Sequence, residues 1–157
     1  MHSLKVAEAA VTANVDLWTQ EYATSQIIPS TTRTRPSKAL LAFAELLELR
    51  NEKCVLDAGC GNGRNAVYLA SRECRVKAVD FCSIAQEKAS RLAQEEGVED
   101  RIEWLNQSLL RPLPFRDSFF DAVLDIYTSC HFVDQHEWTL FWSETLRVAK
   151  KDRKSVV

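Results

Sequence analysis

The stretch "VLDAGCGNGRNAVYLA", Val55 to Ala70, gathers one carboxylate and three of the chain's four glycines: Asp57, Gly59, Gly61 and Gly63. Glycine permits positive φ and lets another molecule lie against the backbone, so the first chemistry this spacing suggests is a ligand seated on a turn. A dinucleotide fingerprint requires G-x-G-x-x-G, but the position of its third glycine is held by Arg64. The P-loop pattern G-x-x-x-x-G-K-[ST] is absent from the chain. A carboxylate at Asp57, just ahead of the glycines, would repel a pyrophosphate and attract an amino group. Cys60, inside the cluster, reads either as a small buried thiol or as a reactive one.

The elements that must carry this turn follow from hydrophobic periodicity. Residues 3–24 have a helical pattern, with Trp18 and Tyr22 four apart on one face. "SQIIPSTTRTRPS" breaks it as a loop, and Pro36 and Ser37 open a second helix to about Leu49. "KCVLDAG" is a short continuous apolar run, the pattern of a strand buried on both faces. "RNAVYLAS" resumes as helix, and "CRVKAVD" is a second strand closing on Asp80. Ser83 and Gln86 have capping-box spacing for the next helix, and Gly97 stands at its C′ position. "RIEWLN" gives a third strand, and a fourth begins near Phe120. Asp134 and Glu137 form another capping pattern before a helix ending near Lys150, after which "RKSVV" reads as the start of a further strand. Alternating strands and helices with short links predict an α/β fold with a mostly parallel sheet. Ligands of such sheets sit beyond the carboxyl ends of the strands, where the glycine turn falls.

Composition narrows the classes. The 157 residues are enough for one domain with a core. Twenty basic and 22 acidic side chains leave a net charge of −2, which gives no electrostatic footprint for nucleic acid. The longest apolar stretch, "ALLAFAELLEL", is interrupted by Glu45 and Glu48 and is too short to span a bilayer. The N-terminal segment lacks the pattern of a signal peptide. Five cysteines without C-x-x-C spacing argue against a disulfide framework or a zinc site and for reduced thiols in the cytoplasm.

With these residues in hand, the chain resembles the class I S-adenosylmethionine-dependent methyltransferases. "DAGCGNG" (Asp57 to Gly63) is similar to that family's first motif, an acidic residue followed by G-x-G-x-G. Asp80 in "VKAVD" matches its second acidic position, and "LPFRDSFFDAVLD" is similar to its L-P-F…F-D-x-V stretch. The resemblance implies a Rossmann-like, doubly wound sheet that binds S-adenosylmethionine. It implies that the backbone from Ala58 through Gly59, Cys60, Gly61 and Asn62 to Gly63 passes the methionine part, with Asp57 near its ammonium. It further implies that Asp80 accepts the ribose hydroxyls, that Phe81 flanks the adenine, and that Ser108 and Leu109 meet the adenine edge. Residues from Asp125 to Tyr127 would line the passage to the methyl acceptor. Ser108 stands where the family commonly has Asp, and "KKDR" replaces a K-P-G-G turn. The family's seven-stranded sheet implies that the chain is truncated after the fourth strand and its helix.

The expected organisation is an N-terminal helix and loop over residues 1–36, with the cofactor domain at 37–157. Trp18 and Tyr22 then either pack on the sheet or form a lid. Arg33 and Arg35 are candidates to meet a carboxylate, and His131 and His136 are candidates for a general base, each set against an ordinary surface role. The expected function is methyl transfer to a small-molecule acceptor without metal. Its alternative is a truncated chain that binds the cofactor without turnover or depends on a partner, self-associating through an exposed sheet edge.

Overall fold

Four short strands carry the apolar runs: β1 (Cys54–Ala58), β2 (Arg75–Asp80), β3 (Ile102–Asn106) and β4 (Ala122–Asp125). In the computed structural model, which describes residues 15–151, they form one parallel sheet in the order β3-β2-β1-β4. Around it lie α1 (residues 15–24), α2 (Lys38–Leu46), α3 (Arg64–Ser71), α4 (Ser83–Glu95) and α5 (Gln135–Val148). The chain runs outward from β1 through β2 to β3 and then returns to the far side of β1 with β4. Strand order therefore reverses at β1, and the crevice beyond its carboxyl end is where the fold places a ligand. The expected parallel α/β sheet is present.

Side chains alternate across the pleat. Val55, Val76, Ala78, Ile102, Ala122 and Leu124 pack on one face with Leu40 and Ala44 of α2 and Ala66, Leu69 and Ala70 of α3. Leu56, Ala58, Val79 and Val123 pack on the other with Phe120, Phe141 and Val148. Burial on both faces explains why β1 reads as a continuous apolar run. Each fully buried aliphatic side chain here contributes about 2 kcal/mol.

Local signals behave unequally. Ser37 caps α2, its Oγ accepting the Leu40 amide at 3.1 Å. That helix ends at Leu46 rather than Leu49 because Glu48 takes a left-handed φ of 49°. Gly97 follows α4 with a φ of 67°, as its C′ position requires. The Ser83–Gln86 capping box does not form: the N-cap is Cys82 and Ser83 is already helical. Asp80 reaches the free end first, its Oδ1 accepting the Cys82 amide at 2.8 Å. Gln86 instead donates to the carbonyls of Asp80 (3.2 Å) and Leu105 (2.8 Å), tying the ends of β2 and β3 together. Asp134 does cap α5, accepting the Glu137 amide at 2.8 Å, while Glu137 accepts from Val133 rather than from the cap residue itself.

Beyond β4, Phe120 and Ala149 form a parallel bridge, and the Lys150 amide donates to the Phe120 carbonyl at 3.0 Å. The "RKSVV" strand and the first turns of the N-terminal helix lie outside the described residues. Among the described residues no helix is long and apolar enough to cross a membrane.

Candidate functional site

The glycine turn is bolted to the end of β2. The amides of Gly59 and Cys60 both donate to the Val79 carbonyl, at 2.8 and 3.1 Å. The Gly61 amide donates to Asp80 Oδ2 at 2.9 Å. With Oδ1 on Cys82, the Asp80 carboxylate holds the two loops that follow β1 and β2 in one arrangement. A Cβ at Gly61 would stand 2.2 Å from the Tyr22 hydroxyl, and one at Gly59 would stand 2.1 Å from Thr128 Oγ1. Gly63 serves packing instead: its φ is 78°, and a Cβ there would lie 2.6 Å from Ala89 Cβ, where α3 crosses α4.

Asp57 is fully buried. Strand alternation puts it on the same face as Val55, beneath the first turn of α3, and Oδ2 has no hydrogen-bond partner. Burial first, and the charge of Asp80 second, raise its carboxyl from 3.8 to about 7, partly opposed by Arg64 and the Ala66 amide. Burial also raises the Asp80 carboxyl, against the lowering effect of the Cys82 and Gly61 amides. Burial, reinforced by both carboxylates, pushes the Cys60 thiol well above its usual range, which removes the reactive reading of that residue.

A cavity of about 530 Å³ opens at the switch point. Its floor is Gly59, Cys60, Gly61 and Asn62; Asp80, Phe81, Ser108 and Leu109 stand at one end. Ile126, Tyr127, Thr128, Cys130, His131 and Phe132 form the other end, and Trp18, Tyr22, Ile28 and Pro29 cover it. Four of the residues predicted for this site, Asp57, Ala58, Gly63 and Asp125, do not line the cavity. Asp57 and Gly63 are turned beneath α3 and α4. Asp125 is consumed by the turn after β4: Oδ1 accepts the amides of Thr128 (3.3 Å) and Ser129 (3.0 Å), and Oδ2 accepts from the Ser129 hydroxyl.

The cover is pinned by side chains. Glu21, buried on α1, accepts the Ile28 amide at 2.8 Å, the Ile27 amide at 3.2 Å and the Thr31 hydroxyl at 3.2 Å. From the floor, Asn62 Nδ2 donates to the carbonyls of Arg33 (2.8 Å) and Thr31 (3.3 Å). Arg64 donates to the Arg35 carbonyl at 3.2 Å, and Asn65 accepts the Ser37 amide at 3.0 Å. Asn62 thus faces the cavity while its amide group holds the cover. Arg33 lines the cavity; Arg35 and His136 do not. Sequence reasoning missed Glu21, Thr31, Asn65 and Thr128, which carry no motif. The one available signal was an acidic residue, Glu21, between Trp18 and Tyr22 on a face with apolar neighbours.

A four-stranded parallel sheet with a glycine turn after β1 and an acidic residue ending β2 defines the Rossmann-like class. The family then follows from comparison with known proteins. The model of a family described as "Methyltransferase domain" matches residues 55–152, more than half of the chain. The chain belongs to this family, the S-adenosylmethionine-dependent methyltransferases of class I. "Uncharacterized methyltransferase YcgJ" of Bacillus subtilis (strain 168) is 35% identical over 105 residues, covering 67% of this chain and 40% of that protein. Its crystal structure matches with a TM-score of 0.64 at 32% identity, over 73% of this chain and 47% of the other. A "Probable tocopherol O-methyltransferase, chloroplastic" of Oryza sativa subsp. japonica is 29% identical over 120 residues, 74% of this chain and 32% of that protein. The crystal structure of a SAM-dependent methyltransferase from Aquifex aeolicus shares the fold at 23% identity, with a TM-score of 0.60 over 71% of this chain and 58% of that one. The chain therefore spans less than half the length of the curated relatives it matches.

Proposed function

We propose that this chain binds S-adenosylmethionine in the cavity over the glycine turn and acts in methyl transfer to a small-molecule acceptor. The observation that carries this reading is the Asp80 carboxylate, fixed by the Gly61 and Cys82 amides and lining the same cavity as the turn. Two amide bonds leave further acceptor sites on its oxygens, enough for a pair of ribose hydroxyls. Phe81 and Leu109 supply apolar walls for an adenine ring, and Ser108 a hydroxyl at its edge. The cavity-lining backbone of Gly59 to Asn62 receives the methionine part, with Asp57, Ala58 and Gly63 supporting the turn from behind.

Bound there, S-adenosylmethionine supplies a methyl group on a positive sulfonium, which makes transfer favourable without a metal. The protein's work is then to hold the acceptor in line and keep water out. Residues 15–36 act as the lid: the Tyr22 hydroxyl rests over Gly61, so a ligand lying on Gly61 moves the Tyr22 ring aside. Asp125 acts by shaping the turn that carries Thr128 to His131. The size and cover of the cavity favour a small acceptor over nucleic acid. Five unpaired thiols favour a reducing, cytoplasmic setting.

Calorimetric titration with S-adenosylhomocysteine tests the reading. Wild-type binding in the micromolar range, weakened about tenfold or more by Asp80→Ala as for a lost charge-assisted hydrogen bond, supports it. Asp80→Asn, which keeps one acceptor oxygen, should lose less. Absence of binding by the folded wild-type chain overturns it.

A further inference from the structure

Resting on that cofactor reading, we propose that the end of the cavity between α1 and the β4–α5 loop is an acceptor subsite for an aromatic hydroxyl compound, a phenol, whose proton passes to His131. This end lies across β1 from Asp80, because β2 and β4 flank β1 on opposite sides. Its walls are rings: Trp18 from above, Phe132 behind and Tyr127 at the mouth. Tyr127 is 73% exposed and holds a left-handed φ of 64°, a conformation rare for a bulky side chain and typical of functional turns. Aromatic walls of this kind favour a flat ring in offset or edge contact.

The polar groups select the chemistry. A hydroxyl acceptor must lose its proton as the methyl arrives, and the two carboxylates beside this end already accept hydrogen bonds: Asp125 from Thr128 and Ser129, and Glu137 from the Val133 amide at 2.8 Å. His131 is placed for proton transfer instead. Its amide donates to the Thr128 carbonyl at 3.1 Å, within the turn that Asp125 shapes. Its imidazole meets the Trp18 ring edge-on, with centroids 4.8 Å apart. Trp18 is a positioning residue, joining the lid to the base. The ionisable groups around this end are Tyr22 from α1, Arg33 from the segment after it, Asp125 from β4, Cys130 beside it and Glu137 from α5. Imidazole is the side chain suited to taking a proton near neutrality.

In the step, the phenolic oxygen forms a bond to the methyl carbon as its O–H bond breaks toward an imidazole nitrogen. The carbon–sulfur bond breaks with its electron pair remaining on sulfur, so the sulfonium charge is lost. The imidazolium then releases the proton to solvent, which the exposure of His131 permits.

The test uses the 157-residue chain loaded with S-adenosylhomocysteine and titrated with 2-naphthol, decahydro-2-naphthol and 2-naphthylmethylamine. 2-Naphthol should bind about tenfold tighter than its saturated analogue, and Trp18→Ala should remove most of that preference. With methyl-labelled S-adenosylmethionine, His131→Gln should slow transfer to 2-naphthol about a hundredfold at pH 7. The loss should shrink as rising pH ionises the naphthol itself, a recovery that a merely structural role would not give. Equal binding of the saturated analogue, tighter binding of the amine, or no effect of Trp18→Ala overturns the phenol subsite. Full transfer by His131→Gln at pH 7, or no transfer by a wild-type chain that binds 2-naphthol, overturns the proton step. A chain that binds no S-adenosylhomocysteine overturns the cofactor reading instead.

Discussion

The floor and the cover of the cavity are built on different principles. The floor is backbone: three amides of the glycine turn end on the Val79 carbonyl and the Asp80 carboxylate, all anchored in adjacent parallel strands. The cover is side chain against backbone: Glu21 holds the loop that follows its own helix, and Asn62, Arg64 and Asn65 reach across long sequence separations to hold residues 31–37. Backbone geometry demands a narrow set of residue types at fixed spacing. Side-chain pins demand only that some polar group reach a free amide or carbonyl. A rigid floor and an adjustable cover suit a site that keeps one cofactor and adapts to its acceptor.

The largest effect is expected where the floor meets the helices. Gly63→Val combines a left-handed φ with a Cβ 2.6 Å from Ala89 Cβ. It should destabilise the fold by about 5 kcal/mol in urea titration, the sum of backbone strain and overpacking. Gly97, which has nothing within 4 Å of its Cβ position, is the control; Gly97→Ala should lose only about 1 kcal/mol. Equal losses at the two sites would show that φ alone matters.

Next comes the buried carboxyl of the floor. Asp57 is raised from 3.8 to about 7 by burial and then by Asp80, so the folded chain holds a proton that the unfolded chain releases between those values. This contribution is fully present below about pH 4 and is lost as pH rises toward 7, by up to about 4 kcal/mol. Denaturation of wild type and Asp57→Asn at pH 4.5 and 7.5 should show a smaller pH difference in the variant. A parallel pair of curves would refute the assignment.

The cover should respond locally. Glu21→Ala leaves two amides and a hydroxyl without their acceptor, at a cost of about 2 kcal/mol. Hydrogen exchange should accelerate at Ile27, Ile28 and Thr31 while the amides of β1 and β2 keep their protection. Acceleration throughout the sheet would mean that cover and floor are one cooperative unit. The smallest effect belongs to a surface pair outside both regions. Lys77 and Glu103 face each other in register on β2 and β3, and Lys77→Met should change stability by about 0.5 kcal/mol or less, with weak salt dependence.

This contrast also explains what could be read from the chain. Strand β1 was legible because both its faces are buried, and β2 because its apolar residues run into the acidic Asp80 that ends it. Gly59 to Asn62 and Asp80 were legible because a backbone turn allows few substitutes. The Ser83–Gln86 pattern misled because a capping box is a local signal, and Asp80, fixed by the sheet, supplies the competing carboxylate. Asp125 was expected at the acceptor passage, but strand-end position does not reveal that the next four residues curl back to claim its oxygens. Trp18 and Tyr22 showed a shared face without showing what it covers. His131 acquires a setting only when the lid is folded against it.

The strand order has a temporal consequence. β1, β2 and β3 are joined by short crossovers, but β1 and β4 meet only by closing a long loop; the Cys54 amide and Asp121 carboxylate that begin their alignment are 67 residues apart. Contacts of such separation form slowly. The half of the cavity that carries Asp80 is therefore expected to assemble first, and the half that carries Thr128 and His131 to arrive with β4. On the proposed reading of the site, a nascent chain would acquire its grip on the nucleoside before it acquires a place for the methyl acceptor.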